Sequence, residues 1–92
     1  MNVFYTYRQQ AEILKKIGHP VRLCILQLLI KRGNCSVTEL CELLELPQST
    51  ISQHLWVLKS LHIVDCKNEG RMKIYKVCHE GVIRMVTLLV KE

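Results

Sequence analysis

Hydrophobic residues recur at helical spacing through the first third of the chain and predict two helices there. The first helix is expected from about residue 7 to 17, and the second from about residue 21 to 30. The second is apolar on nearly every face, which is typical of a central helix covered on several sides. Pro20 suits its first helical position, and Gly33 suits its C-cap. The inward positions of the first helix are Ala11, Ile13, Leu14 and Ile17.

The middle of the chain has the pattern of two short helices joined by a tight turn. Ser36 and Glu39 have the spacing of a capping box at the start of an amphipathic helix. A second helix follows after a short break and ends near residue 61. Pro47 is expected at the first position of that helix, which leaves Leu46 as a poor N-cap. This arrangement predicts a helix-turn-helix.

Two short strand patterns and a last helix complete the chain. Strands are expected at about residues 63–67 and 73–77, with Gly70 supplying a positive φ in the turn between them. The predicted fold is mainly α with a small β-hairpin, a single winged helix-turn-helix domain over residues 1–92 in the order α-α-α-α-β-β-α. Its predicted parts are the helix-turn-helix at about 36–61, the wing at about 63–77, and dimerisation helices at about 6–17 and 79–91.

Charge and cysteine content narrow the classes of function. The net charge of +5 favours an anionic partner, either nucleic acid or an anionic membrane surface. The sequence has no run of 18 apolar residues that would cross a membrane, and its start does not resemble a secretory signal. Five cysteines without paired short spacings do not resemble a secreted disulfide framework, so a cytoplasmic location is expected.

Catalytic motifs are missing from the sequence. There is no phosphate-binding loop and no nucleophile elbow, and the four histidines fall on different predicted elements. An enzymatic function is therefore not expected.

Three motifs follow one another along the chain: residues 19–23, residues 46–55, and Gly70–Arg71 with Ile74–Tyr75 shortly after. In this order and spacing they resemble the ArsR/SmtB family of bacterial repressors over about residues 11–77. The resemblance is strongest to the metal-site-poor members of the PagR and HlyU type. It implies a transcriptional repressor that binds double-stranded DNA, at an inverted-repeat operator, as a homodimer.

The second helix of the helix-turn-helix has two distinct faces. Ile51, Leu55 and Leu58 form the inner stripe. At the N-terminal end of the outer face, short hydrogen-bonding side chains are expected to reach base edges in the major groove, although an ordinary solvated face remains the alternative. His54, off the centre of that face, is expected to bond to a neighbouring helix. The outer face carries Ser49, Ser52, Gln53, Trp56 and Lys59.

Trp56 is the apolar exception on that outer face. Packing against the start of the hairpin is the favoured interpretation. Contact with the DNA sugar-phosphate backbone and partial exposure are the alternatives.

Further DNA contacts are expected outside this face. The basic tip of the hairpin suits the minor groove or flanking phosphates, with a solvated hairpin as the alternative. Amides at the two helix N-termini could donate to phosphates. The predicted DNA-binding residues are Thr38, Gln48, Ser49, Ser52, Gln53, Lys59, Lys67, Arg71 and Lys73.

The terminal helices carry more aliphatic residues than a lone surface helix needs. With 49% hydrophobic residues in 92, part of this surface is expected to be covered by a second copy of the chain. Phe4, Tyr5 and Tyr7 could belong to the same dimer interface. The predicted dimer-interface residues are Leu14, Val82, Ile83, Val86, Leu89 and Val90.

The sensed signal is left open by the sequence. Family metal sites align here with Ser36 and Thr38 and with a last helix that has Gly81 at a ligand position, so no metal or other cofactor is expected. A thiol switch through Cys24 and Cys78 is an alternative, although the family position in the second helix holds Gln27. Control without any ligand is the favoured interpretation. A winged helix used only for protein association remains a further alternative.

Overall fold

The computed structural model describes residues 3–91; Met1, Asn2 and Glu92, at the two ends of the predicted domain, lie outside the described residues. The order of elements is that of a winged helix-turn-helix, with one short helix and one short strand more than expected. The helices are α1 (Val3–Thr6), α2 (Arg8–Ile17), α3 (Pro20–Arg32), α4 (Val37–Leu44), α5 (Gln48–Ser60) and α6 (Glu80–Leu89), and the strands are β1 (Cys35–Ser36), β2 (Val64–Glu69) and β3 (Met72–Val77).

Helix α3 is the centre of the core, as its nearly continuous apolar sequence predicts. It packs against α2, α5, α6 and the sheet. Pro20 occupies its first helical position, and the Nδ1 atom of His19 accepts a hydrogen bond of 3.1 Å from the Val21 amide as an N-cap. Gly33 ends the helix at φ 87°, a backbone angle that glycine adopts without strain. The fully buried core side chains include Ile25, Leu26, Leu29, Leu40, Ile51, Leu55, Leu58 and Ile63.

The capping box at the start of α4 is confirmed. The Glu39 amide donates to Ser36 Oγ, and the Ser36 amide donates to Glu39 Oε1, each over 3.0 Å. Hydrogen bonding to the Ser36 backbone amide, and to a lesser extent to the Ser36 side chain, lowers the pKa of the Glu39 carboxyl. Two orphan amides of the helix start are thereby satisfied.

The wing is a three-stranded antiparallel sheet in the order β1-β3-β2. Gly70, at φ 62°, lies in the turn between β2 and β3, as expected. The two strands reach further toward this turn than the sequence indicated. Strand β1 was not predicted; it pairs Cys35 with Tyr75 and Ser36 with Ile74 and so ties the wing to the start of α4.

The side chains that the terminal helices bury are not all the ones expected from the sequence. Ile13 and Ile17 of α2 are buried, whereas Ala11 and Leu14 are exposed. Val82 and Val86 were wrongly assigned to a dimer interface: their side chains are 1% and 0% exposed within a single chain. The reason is that α6 packs on α3 of its own protomer. Val82 and Val86, four residues apart, lie on the face of α6 that makes this contact and are buried by it. In residues 3–91, no helix has the length and apolar character needed to cross a bilayer.

Candidate nucleic-acid interface

The outer face of α5 is open to solvent as the sequence predicted. Ile51, Leu55 and Leu58 are completely buried, which fixes the opposite side of the helix outward. The short hydrogen-bonding side chains lie in the first two turns, at the end by which a recognition helix enters the major groove. The exposed residues of this face, defined here as the reading face, are Gln48, Ser49, Ser52, Gln53, Trp56 and Lys59.

The start of α5 has an unusual cap. Pro47 is the N-cap rather than the first helical residue, and no side chain of the described residues bonds to this helix start. The Pro47 carbonyl accepts from the amides of Thr50 and Ile51, both at 3.1 Å. The amides of Gln48 and Ser49 are therefore left to solvent or to an anion, which the helix dipole favours at this end.

A hydrogen bond holds α5 against α3. Arg22 Nε donates to His54 Nδ1 over 3.1 Å, and Arg22 Nη1 donates to the Lys16 carbonyl over 3.0 Å. The rings of His19 and His54 lie 4.8 Å apart between centroids. Burial of the ring, followed by the nearby His19 and Arg22, lowers the pKa of His54. His54 is thus confirmed as a structural hydrogen-bonding residue.

Arg22 and His19 were not singled out as site residues by the sequence analysis. Both belong to the motif at residues 19–23, and Arg22 is one of two polar residues in the otherwise apolar stretch 21–30. A lone arginine on a central helix needs a hydrogen-bonding partner for its guanidinium, and this need was the sequence signal that Arg22 has a structural role. Its partner, 32 residues away along the chain, could not be read from the sequence.

The expected packing of Trp56 on the hairpin is wrong. Its side chain is 70% exposed on the reading face. It borders a shallow groove of about 350 Å³ whose other walls are Arg22, Gln53, His54 and Val57. The groove lies on the α3 side of α5 and not on the wing side, so the hairpin does not cover the ring.

The wing places exposed cations around its turn. Lys67 lies 3.2 Å from Glu69, so its charge is partly compensated. Arg71 and Lys73 are exposed and, among residues 3–91, have no carboxylate within ion-pair distance. Thr38, the remaining predicted phosphate contact, is exposed in the first turn of α4 beside the Glu39 carboxylate.

The remaining dimer candidates lie on α2, on α6 and, for Val90, at the C-cap of α6 beside α3. Leu14 is 54% exposed and Leu89 is 69% exposed, whereas Ile83 and Val90 are half-buried. A groove of about 400 Å³ runs between the two helices and is lined on one wall by Ile13 and Leu14. An apolar surface of this kind suits a partner helix.

The predicted redox cysteines are both accessible. Cys24 on α3 and Cys78 before α6 are exposed and free, and the Cys78 thiol lies 3.4 Å from the His62 carbonyl oxygen. In the part of the chain that the structure describes, no three His, Cys, Asp or Glu side chains are grouped as a metal site requires.

Comparison with known proteins identifies the family. Residues 19–65 match the family described as "Bacterial regulatory protein, arsR family". An uncharacterised HTH-type transcriptional regulator of Methanocaldococcus jannaschii is 39% identical over 83 residues, covering 90% of this chain and 93% of its own. The transcriptional repressor PagR of Bacillus anthracis is 33% identical over 86 residues, covering 90% of this chain and 86% of its own.

Solved structures agree with this assignment. The crystal structure of PagR superposes with a TM-score of 0.85 at 32% identity, covering 95% of this chain and 99% of its own. A homodimeric winged helix-turn-helix DNA-binding domain from Mycobacterium bovis superposes with a TM-score of 0.83 at 29% identity, covering 92% of this chain and 78% of its own. The protein therefore belongs to the arsR family of bacterial regulatory proteins and is a DNA-binding transcriptional regulator with a winged helix-turn-helix, not an enzyme.

Proposed function

We propose that the protein is a homodimeric repressor, acting in the cytoplasm, that binds an inverted-repeat operator through the reading face of α5. The observation that carries the proposal is the exposed polar start of that helix. Ser49, Ser52 and Gln53 project outward in its first two turns, while the buried stripe fixes the orientation of the helix. Glutamine can pair with adenine through two hydrogen bonds, and serine can bond to any base.

Phosphate contacts supply the sequence-independent part of the affinity. The uncapped amides of Gln48 and Ser49 suit one phosphate, and Lys59 lies further along the same helix. Arg71 and Lys73 extend the cationic surface to the wing, and Thr38 suits a contact at the start of α4. These groups position the helix in the groove, and the base contacts then select the sequence.

Two copies are needed because one helix makes few base contacts. The exposed apolar residues of α2 and α6 supply a surface for a second protomer, and the Mycobacterium bovis neighbour is itself homodimeric. A twofold dimer would present two reading helices about 34–36 Å apart, one turn of DNA. Leu14, Ile83, Leu89 and Val90 are the interface residues of this proposal.

Control without a bound metal or cofactor is part of the proposal. The positions where family metal ligands would align hold Ser36, Thr38 and Gly81. A thiol switch through Cys24 and Cys78 is the second candidate, because both side chains are exposed. Selection of bound fragments from the source genome, repeated with zinc and with an oxidant, separates these cases by whether either addition releases the fragments.

Replacement of Ser52 and Gln53 by alanine tests the base-reading role. We expect affinity for the selected operator to fall by about 10- to 100-fold, while affinity for random duplex DNA stays nearly constant. The control is Ser60→Ala, which removes a hydroxyl that bonds to the Val57 carbonyl at the far end of the same helix. An equal loss on both kinds of DNA would show that these residues do not read bases. Failure to recover any bound fragment would favour a winged helix used for protein association.

A further inference from the structure

The fold does not explain the exposure of Trp56, the most exposed large hydrophobic side chain of the helix-turn-helix. Trp56 is 70% exposed, whereas Leu55 and Leu58 of the inner stripe of α5 are completely buried. An indole of this size in water is unfavourable and is typical of a surface that a partner covers. The ring therefore needs an external partner rather than an internal one.

The position of Trp56 associates it with the polar residues that approach DNA. It follows Ser49 by seven residues, Ser52 by four and Gln53 by three. Residues at these spacings lie on one side of a helix. The ring thus stands on the reading face, one turn beyond Ser52 and Gln53, and not at its edge.

The largest side chains of the reading face lie in its later turns. The first two turns carry serine and glutamine side chains, and the later turns carry Trp56 and Lys59. A helix that enters the major groove by its N-terminal end leaves a wider gap between its later turns and the DNA. Short side chains suit the close end of such a helix, and long ones suit the distant end.

We propose that Trp56 is a DNA-contacting residue whose indole packs on apolar surface of the major groove. This inference rests on the proposed function of α5. The apolar surface available there is the C5-methyl group of thymine or a deoxyribose of the groove wall. DNA is a better partner than a protein here because Lys59 lies one turn away on the same face, the Arg22 guanidinium borders the adjoining groove, and the chain carries a net charge of +5.

The chain contains a single tryptophan, so its emission reports on this one ring. The probe is a duplex recovered by genomic selection and labelled with a dye, whose anisotropy measures binding independently of Trp56. On addition of this duplex to the unmodified protein, the acrylamide quenching constant of Trp56 should fall by about threefold or more as the ring is covered. Quenching that stays unchanged while anisotropy reports saturation would overturn the inference and leave the proposed function standing. If no duplex changes the anisotropy, both proposals fail.

Variants measure how much the contact contributes. Trp56→Ala should weaken operator binding by about 10-fold, and Trp56→Phe should retain part of it. Leu43→Ala is the control, since it removes a partly exposed apolar side chain from α4 instead. Equal affinities for the unmodified protein and Trp56→Ala would contradict the proposal. Thermal unfolding of each variant is the folding control, and an exposed ring should contribute little to the unfolding temperature.

Duplexes with deoxyuridine in place of thymine separate the two apolar sources, because this change removes only the C5-methyl group. A loss of affinity in the unmodified protein that is missing in Trp56→Ala supports a methyl contact. An equal affinity for both duplexes, together with the expected protection from acrylamide, supports contact with deoxyribose.

Discussion

Arg22 Nε donates a hydrogen bond to His54 Nδ1 across 3.1 Å and joins the central helix to the recognition helix. The bond requires that Nδ1 carry no proton. Protonation of the imidazole would replace an acceptor by a donor and set a second positive charge against the guanidinium. The placement of α5 is thereby linked to the charge state of one histidine.

The stability of the protein should fall in mild acid through His54. Its pKa lies below the ordinary 6.5 in the folded chain, mainly because the ring is partly buried, so the unfolded chain binds the proton more readily. The stabilisation is fully present above the unfolded value and is lost as the pH falls through the lower folded value. Urea unfolding at about pH 7.5 and about pH 5.5 measures the change in free energy.

The matched variant for this measurement is His54→Gln, whose amide oxygen can still accept from Arg22 without titrating. The unmodified protein should lose more stability over this interval than His54→Gln. The other three histidines are common to both chains, so an identical loss in the two would exclude His54 as the source.

The capping box should contribute measurably to stability. Ser36→Ala removes the acceptor of the Glu39 amide, and N-cap replacements of this kind cost about 1 kcal/mol. Thermal and urea unfolding provide the value. Thr38→Ala, in the same first turn but outside the capping box, should leave stability nearly unchanged. A comparable loss in both variants would argue against the cap.

The wing should contribute through phosphate contacts. Arg71→Ala should weaken binding to all duplexes and reduce the slope of log K against log salt by about 1 per protomer. Lys67→Ala is the comparison, because Glu69 already compensates that charge, and its slope should change less. Binding isotherms at several salt concentrations give the slopes, and an unaltered slope for Arg71→Ala would remove the wing from the interface.

The surface of α2 and α6 should hold the protomers together. Leu89→Arg places a charge in the proposed dimer interface and should reduce the mass measured by light scattering from that of a dimer to that of a monomer. Leu43→Arg puts the same charge on α4, away from these helices, and should leave the mass unchanged. Dimers that persist in Leu89→Arg would place the interface elsewhere.

Local signals predicted the helix ends and the helix-turn-helix well. Pro20, Gly33, the Ser36–Glu39 box and Gly70 each act through backbone geometry or a bond within a few residues, and all four lie where expected. Strand β1 and the partner of Arg22, which were missed, depend on residues far away in the sequence. Strand β1 is too short to have a pattern and exists because β3 pairs with it.

The errors at the candidate site have the same origin. The apolar pattern of α6 correctly indicated a face to be covered, but it does not distinguish α3 of the same chain from a second protomer. Val82 and Val86 were therefore placed in an interface although they lie in the core. Likewise, the size of Trp56 indicated that it needs a partner, and nothing in the local sequence showed that the wing does not reach it.

The two-residue strand β1 limits how this domain could be recombined with its relatives. Residues 35–36 belong to the wing by hydrogen bonding, through Tyr75 and Ile74, and to the helix-turn-helix by sequence. A chimera that exchanges only residues between the loops around 62 and 78 would transplant β2 and β3 without β1. The free edge of the transplanted β3 would then pair with residues 35–36 of the other protein. A transplanted wing that keeps its own edge therefore includes this distant dipeptide, and the wing is a discontinuous unit of the chain.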